Sequence, residues 1–197
     1  MDVKTGILGA LLCVAFIIAG CAGEPAAPAE PNVSPAPNPY LNTLESKLSA
    51  WQQLTAERGD SYRYVVSSAA FVGPSYNTTL TLQGGRVVRR DLTTFEVDDA
   101  GNSTVKQLWA ETGSAVGSHD EGAEPTTLDA RFAACRETLS LADLETDDID
   151  LEFIVPGAAG RAPEGDGPVL SVCFVLAKNV AYDGGAEVVA ELEFLTN

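Results

Sequence analysis

A proline-rich stretch limits the part of this chain that can fold. Residues 22–39 contain six of the eleven prolines, interspersed with alanines. Such a composition cannot bury a hydrophobic core and favours extended polyproline II conformations. We therefore interpret residues 21–40 as a tether, with a proline-rich recognition segment as the alternative. Residues 41–197 have the length of one ordinary domain with its own core.

Residues 1–20 have the features of an export signal. An uncharged, apolar run covers residues 7–19 and is too short to cross a bilayer comfortably as a permanent helix. The run ends in Ile18-Ala19-Gly20-Cys21, which resembles the bacterial lipobox of one aliphatic residue, two small residues and a cysteine. Small side chains admit the backbone to a narrow peptidase site, and the thiol can accept a diacylglyceryl group as a thioether. The resemblance implies a lipoprotein signal peptide over residues 1–20 and lipidation of Cys21.

A lipid on Cys21 would determine where the protein resides. Two or three acyl chains, at roughly 0.8 kcal/mol per buried CH₂, hold a protein stably on a membrane. We therefore expect an exported protein of the bacterial cell envelope whose first partner is the membrane. The residue after the cysteine is Ala22 and not aspartate, which for bacterial lipoproteins implies the outer membrane if the host has two membranes. The alternative is an ordinary secretory signal cleaved near Gly23.

The charge of the chain narrows its partners further. Asp and Glu number 28 against 12 Lys and Arg, which gives a formal net charge of −16. Such a surface repels phosphate backbones, so nucleic acid is excluded as an expected partner. The acidity is explained by the solubility of an exported domain. A protein or peptide partner of unknown identity remains open.

The hydrophobic pattern after the tether predicts an α+β fold. Apolar residues at helical spacing predict a helix over residues 42–57 that ends at Gly59, and alternating residues predict strands over 61–71, 77–83, 86–97 and 103–109. Residues 110–125 are interpreted as a loop. A second helix, capped by Thr126 or Thr127, is predicted to run to about Leu141, followed by strands over 149–155, 169–177 and 188–194. The predicted order is helix, strands, helix, strands, with both helices packed on antiparallel meander sheets.

Several segments of this domain resemble a domain-of-unknown-function family of bacterial secreted proteins. They are Trp51 in the first helix, Tyr62-Arg63-Tyr64, the turn and strand from Gly84 to Val88, and the start of the second helix from Thr127 to Phe132. The resemblance covers roughly residues 43–197. It implies a fold and supplies no catalytic residues.

Two cysteines of the mature domain are candidates for a disulfide. Cys13 would leave with the signal peptide and Cys21 would be lipidated, so Cys135 and Cys173 remain as a pair in an oxidising compartment. We predict a bond between them. The alternative is two separate buried thiols, because simple alternation places Cys173 on the strand face opposite its apolar neighbours at 170, 172, 174 and 176.

Two other motifs invite a chemical interpretation. His119 is the only histidine, but a Ser-His-Asp triad or a zinc site would depend on it alone, and zinc needs several His or Cys ligands. We interpret it as a solvated loop residue. The acidic residues between Asp143 and Glu152 do not follow the EF-hand pattern and fit the outer face of a strand, while residues 98–102 fit a turn. No metal or other cofactor is expected.

The sequence therefore favours a membrane-anchored, non-enzymatic binding or interaction module. No nucleophile elbow, phosphate-binding loop or dinucleotide fingerprint occurs in the chain. The alternative is a hydrolase that acts on envelope or extracellular material through carboxylates or His119. A purely structural envelope component is a third hypothesis.

Overall fold

The computed structural model describes residues 38–69, 75–97, 103–157, 167–180 and 186–196. Residues 37–197 form one compact unit. Cys21, the lipobox and the tether up to residue 37 lie outside the described residues, as does the predicted turn at 98–102. Neither described helix is long and apolar enough to span a membrane.

The predicted α+β class and element order are confirmed. The elements follow the chain as α1 (Pro39–Arg58), β1 (Tyr62–Ala69), β2 (Tyr76–Gln83), β3 (Arg86–Val97), β4 (Ser103–Thr112), α2 (Leu128–Leu141), β5 (Asp147–Ile154), β6 (Val169–Ala177) and β7 (Ala186–Phe194). A short 3₁₀ turn, Gly113–Ala115, follows β4.

Helix α1 begins three residues before the predicted start because a capping pair precedes the apolar pattern. The Asn38 side chain accepts a hydrogen bond from the backbone N–H of Tyr40, and Pro39 occupies the first helical position, where no N–H is needed. The same Asn38 side chain donates to the carbonyl oxygen of Leu139, 2.9 Å away near the end of α2. The helix ends as predicted at Gly59, whose φ of 93° is unfavourable for residues with a Cβ.

The strands form two sheets in a pairing that the sequence pattern does not specify. All pairs are antiparallel, and the larger sheet has the order β4-β3-β2-β1-β7. Strand β7 therefore leaves the second predicted meander and joins β1, where Tyr64 faces Leu192. Strands β5 and β6 remain as a separate hairpin-like pair.

The core lies between the larger sheet and the two helices. Trp51 of α1 is fully buried and meets the ring of Tyr62 edge-on, with 5.3 Å between centroids. The Tyr62 hydroxyl accepts a hydrogen bond from the N–H of Leu128, and the Tyr64 hydroxyl donates to the carbonyl of Thr126. Burial raises the pKa of Tyr62 to about 12, although the Leu128 N–H opposes this shift. Strand β1 thereby fixes the start of α2.

A β-bulge determines which residues of β6 face α2. The register of β5 and β6 shifts so that Ser171 is an extra residue in β6. Beyond the bulge the alternation reverses, so Leu170, opposite Phe153, lies on the same face as Cys173, opposite Leu151. Of the four apolar neighbours, only Leu170 is thus brought to the face of Cys173, and those at 172, 174 and 176 remain on the other face.

The predicted disulfide is present between Cys135 of α2 and Cys173 of β6. Their Cα atoms are 5.8 Å apart, and the bond closes a loop over a sequence separation of 38. It links the helix layer to the smaller sheet, whose backbone ladder does not join the larger one within the described residues.

Replacement of both Cys135 and Cys173 by alanine is expected to lower the free energy of unfolding by about 4 kcal/mol, the value that the chain-entropy relation gives for a loop of this length. Urea unfolding of the oxidised protein and the variant measures the difference. Reductant should destabilise the original protein and leave the variant unchanged. An unfolding midpoint that reductant does not move in the original protein would contradict a stabilising role for the bond.

Candidate functional site

Strand β4 continues three residues beyond its predicted end, which brings a carboxylate into the sheet. The sequence pattern assigned residues 110–125 to a loop, but β4 runs to Thr112. Glu111 thus lies in the strand, directly opposite Arg90 of β3. The strand extends to this point because Arg90 supplies a buried positive charge that pairs with Glu111. The prediction missed this extension because the alternation of apolar residues does not indicate a pair of charged residues.

Arg90 holds the loop after β4 against the sheet. Its guanidinium is buried and donates hydrogen bonds to the carbonyl oxygens of Ala123, His119 and Glu121, and to Oε2 of Glu111 at 3.3 Å. A buried guanidinium requires such acceptors, because an unpaired charge in the interior is strongly unfavourable. Arg90 therefore acts as the organising centre of the loop.

The Glu111 carboxylate accepts hydrogen bonds from residues 117–119 of the same loop. Its donors are the N–H groups of Gly117 at 2.7 Å and His119 at 2.6 Å, the Ser118 hydroxyl, and Nδ1 of His119 at 2.8 Å. Burial raises the pKa of this carboxyl, but the hydrogen bonds from Gly117, His119 and Ser118 outweigh it and lower the pKa to about 2.

Glu111 and Trp109 fix the ring of His119. The imidazole stacks on the Trp109 indole with 4.4 Å between centroids and 5° between the ring planes, and the Arg90 guanidinium lies 4.8 Å from the same indole. The His119 side chain is 42% exposed. His119 is therefore exposed, as the sequence suggested, but it is held in one orientation. Because an ionised carboxylate only accepts, Nδ1 donates to Glu111 and Nε2 is the ring nitrogen left for proton transfer.

A glycine permits the close approach of this loop to the sheet. Gly122 has a φ of +81°, and a Cβ there would lie 2.8 Å from Oγ1 of Thr78 and 2.9 Å from Cδ1 of Leu92. No other residue fits that position without moving the sheet or the loop. The next residue, Ala123, is buried and donates its N–H to the same Thr78 hydroxyl.

A groove of about 480 Å³ lies between α2, β6 and the start of β7. Its volume is within the range of about 300–1,000 Å³ that is usual for ligand sites. The wall formed by α2 presents Ala130, Ala134 and Thr138, which recur every four residues, and residues 170–174 of β6 form the other wall. Both half-cystines line it, so the disulfide is part of its framework.

No sequence pattern predicts this groove. The only signal was the helical recurrence of small residues at 130, 134 and 138, and that pattern does not reveal which strand lies opposite. The groove depends on the position of β6 beside α2 and β7, without a backbone ladder to β7 among the described residues, which is a tertiary feature. Ser171 at the bulge ties the two strands together by donating its hydroxyl to the carbonyl of Val189, 2.9 Å away.

Three charged side chains line the groove. Glu124 and Glu187 supply two carboxylates, and Arg131 supplies one guanidinium. Nη1 of Arg131 lies 3.4 Å from Oε2 of Glu187, so this ion pair bridges α2 and β7. The charged groups of the groove therefore sum to one negative charge.

The acidic run after α2 forms a local turn. The Asp143 carboxylate accepts from the N–H of Glu145, Asp147 accepts from the N–H of Asp143, and Nζ of Lys178 donates to the carbonyls of Leu144 and Glu145. Within the described residues, no three His, Cys, Asp or Glu side chains converge as a metal site would require.

Comparison of the chain with protein-family models, curated proteins and solved structures finds no match. The resemblance to a family of bacterial secreted proteins therefore stays a prediction. The site has to be interpreted from its own geometry.

The hydrogen-bonded Glu111 should make stability depend on acid pH. Its pKa of about 2 in the folded protein lies below the ordinary 4.5, so its ionised form stabilises the fold above pH 4.5, and this contribution is lost as the pH falls from 4.5 towards 2. Glu111→Gln is expected to lower stability at neutral pH by about 3 kcal/mol, because Arg90 loses its buried counter-charge. The Glu111→Gln variant should also lose less stability in acid than the original protein.

Urea unfolding at a series of pH values between neutral and strongly acidic measures both effects. Glu121→Gln, which changes an exposed carboxylate in the same loop, is the matched control and should behave like the original protein. Identical pH profiles for the two variants would show that Glu111 does not carry the dependence.

Proposed function

We propose that this protein is a lipid-anchored lipoprotein of the bacterial cell envelope whose domain is a non-enzymatic interaction module. The observation that carries the proposal for the domain is the groove between α2 and β6, whose lining combines small and apolar side chains with polar and charged ones. A concave site of this size that offers both apolar surface and polar groups is suited to binding a ligand.

The arrangement of the chain suits a tethered binding protein. Cys21 is proposed to hold the chain on the membrane through its lipid, and the proline-rich residues 22–37, which precede the cap of α1, to act as a spacer. At about 3.1 Å per residue, an extended spacer of this length reaches on the order of 50 Å from the membrane. The domain would then search the space around its anchor at a raised effective concentration.

A hydrolase is the second candidate, and one observation favours it. The Glu111 carboxylate orients the His119 ring through Nδ1, which is the relation that a general base has with its supporting carboxylate. The nearest hydroxyl in the sequence, that of Ser118, donates to Glu111. His119 and Glu111 together therefore supply a general base, whereas the hydroxyl of the neighbouring Ser118 is already hydrogen-bonded to Glu111.

The anchor can be tested by metabolic labelling with a fatty acid. The original chain is expected to incorporate the label and to fractionate with membranes, and Cys21→Ser is expected to do neither. Cys13→Ser is the control, because this cysteine lies within the apolar run and outside the lipobox. An unlabelled original chain would overturn the lipoprotein assignment.

The interaction role can be tested with two adjacent alanines of α2. Ala134 lines the groove and Ala133 does not, and both are exposed. Ala134→Phe should fill the groove and abolish capture of an envelope component in a cross-linking pull-down from envelope extracts, whereas Ala133→Phe should retain it. Capture that both variants retain would show that the groove is not the interaction site.

The hydrolase is tested separately with His119→Ala in a screen of ester, amide and glycoside substrates. The interaction module is expected to turn over none of them with or without His119. Turnover by the original protein that His119→Ala abolishes would replace the proposed function with the second candidate.

A further inference from the structure

The larger sheet has a second face, on the side away from the helices. Its buried residues, such as Tyr64, Leu80 and Leu92, alternate along their strands and point towards the core. The intervening residues point the other way, and we call the surface they form the back face. It comprises residues 63, 65 and 67 of β1, 77, 79 and 81 of β2, 89, 91, 93 and 95 of β3, and 105, 107, 110 and 112 of β4. None of these residues lines the groove.

A row of uncharged polar side chains crosses the back face. The strand register places Ser67 beside Asn77, Asn77 beside Thr93, and Thr93 beside Gln107. These four residues therefore lie side by side on four neighbouring strands, and none of them is fully buried. Because neighbouring strands are about 4.8 Å apart, the row is roughly 15 Å long.

The polar groups of this face have hydrogen-bonding capacity to spare. The Ser67 hydroxyl donates to Oδ1 of Asn77, 2.8 Å away, which leaves the amide N–H bonds of Asn77 as donors. Among the described residues, the side chains of Thr79, Thr81 and Gln107 make no hydrogen bond. Every buried side-chain nitrogen and oxygen in the described part of the chain does have a partner. The unbonded groups are therefore open to solvent, where a ligand can reach them.

The back face is close to neutral, although the chain carries a net charge of −16. The row itself holds no charged residue, and the charged side chains beside it are paired. Nη2 of Arg89 lies 2.7 Å from Oδ1 of Asp91, and Arg63 pairs with Glu193 of β7. A ligand that offers many neutral hydrogen-bonding groups matches such a surface, because it brings no charge that would need a free counter-charge.

Exposed apolar side chains lie beside the polar row. Phe95 is 41% exposed and Val105 is 65% exposed, and the two residues are opposite each other on β3 and β4. Phe95 follows Thr93 by two residues, so its ring is on the same face as the row. Hydroxyls, amides and an exposed aromatic ring together suit a pyranose sugar, which has hydroxyl groups around its edge and C–H bonds on its faces.

We propose that the back face binds a neutral polysaccharide, which lies across the strands in an extended conformation. The repeat of an extended β-1,4-linked pyranose chain is close to the strand spacing of about 4.8 Å, so successive sugars meet successive members of the row. Phe95 packs against the C–H face of one sugar. This inference goes beyond the proposed function, because it assigns a second binding surface on the opposite side of the sheet from the helices.

A second copy of the chain is less suited to this face than a glycan. Both copies would carry a net charge of −16 and would repel each other on approach. The area of exposed apolar surface is also small, since the row between Ser67 and Gln107 is polar. A neutral glycan meets no such repulsion.

The test uses the purified full-length chain and labelled β-1,4-linked oligosaccharides. Hexasaccharides of glucose and of N-acetylglucosamine are the neutral probes, the disaccharides of the same sugars test length, and a galacturonate hexasaccharide tests charge. Fluorescence polarisation measures binding. At least one neutral hexasaccharide should bind about tenfold or more tightly than its disaccharide and than the galacturonate, which corresponds to about 1.4 kcal/mol. Failure of both neutral hexasaccharides to bind would overturn the inference.

Variants connect the binding to the back face. Gln107→Ala and Phe95→Ala should each weaken hexasaccharide binding by about fivefold, or about 1 kcal/mol, as expected for one hydrogen bond or one ring contact. Gln52→Ala makes the same chemical change on an exposed position of α1 and should bind like the original protein. Urea unfolding checks that the variants keep their fold. Equal binding by Gln107→Ala, Phe95→Ala and Gln52→Ala would show that the back face is not the glycan site.

Two further results separate this inference from the proposed function. Ala134→Phe fills the groove and should leave hexasaccharide binding unchanged, so binding that it abolishes would place the glycan in the groove and overturn the inference. If no hexasaccharide binds but Ala134→Phe still blocks capture from envelope extracts, only the inference is wrong. If Phe95→Ala dissociates a dimer detected by sedimentation, the occupant is a second copy and the inference is also wrong.

Discussion

The disulfide between Cys135 and Cys173 is the covalent joint on which the second half of the fold depends. Strands β5 and β6 have no backbone ladder to the larger sheet within the described residues. Packing, this bond and two hydrogen bonds to β7, from the Gly157 N–H to Leu192 and from the Ser171 hydroxyl to Val189, therefore set their position. The bond fixes β6 at the distance from α2 that leaves a groove between them. A sheet continuous with β7 would have closed that space.

The pair of Arg90 and Glu111 organises the other end of the sheet in a different way. Burial of two charges is unfavourable, and their mutual attraction alone rarely compensates for it. Here each charge is also satisfied by the loop after β4, with Arg90 donating to three carbonyls and Glu111 accepting from backbone N–H groups. The ion pair therefore specifies one loop conformation, and His119 is held as a consequence of that conformation.

Local patterns were sufficient to predict much of the fold. The predicted bounds of β3 and β6 agree with the structure, and Thr127, one of the two predicted caps, caps α2. These predictions succeed because hairpin glycines, apolar runs and capping hydroxyls act over only a few residues. The partner of β7 could not be predicted, since alternation reports a buried face and not the neighbouring strand. The extension of β4 to Glu111 was missed because its partner, Arg90, is distant in sequence and polar.

The candidate site was less accessible to sequence analysis than the fold. The pairing of Cys135 with Cys173 was predicted from an expected oxidising compartment and from the number of cysteines, but the bulge at Ser171, which brings Leu170 to the face of Cys173, was not predicted. The orientation of His119 depends on a stacking contact with Trp109 and on the hydrogen bond that its Nδ1 donates to Glu111, both of which are residues of β4. These are tertiary contacts, and no periodicity in the chain encodes them.

The position of Asn38 has a mechanical consequence. Its side chain caps the first turn of α1 and also donates to the carbonyl of Leu139 at the end of α2. If Cys21 is anchored as proposed, tension along the tether enters the domain at this residue and is shared at once between two helices. The ion pair of Glu45 and Arg136 joins the same two helices again, and the bond from Cys135 to Cys173 continues from α2 to β6. A pull between the anchor and a partner held in the groove would then pass through these side-chain and covalent cross-links as well as through the backbone.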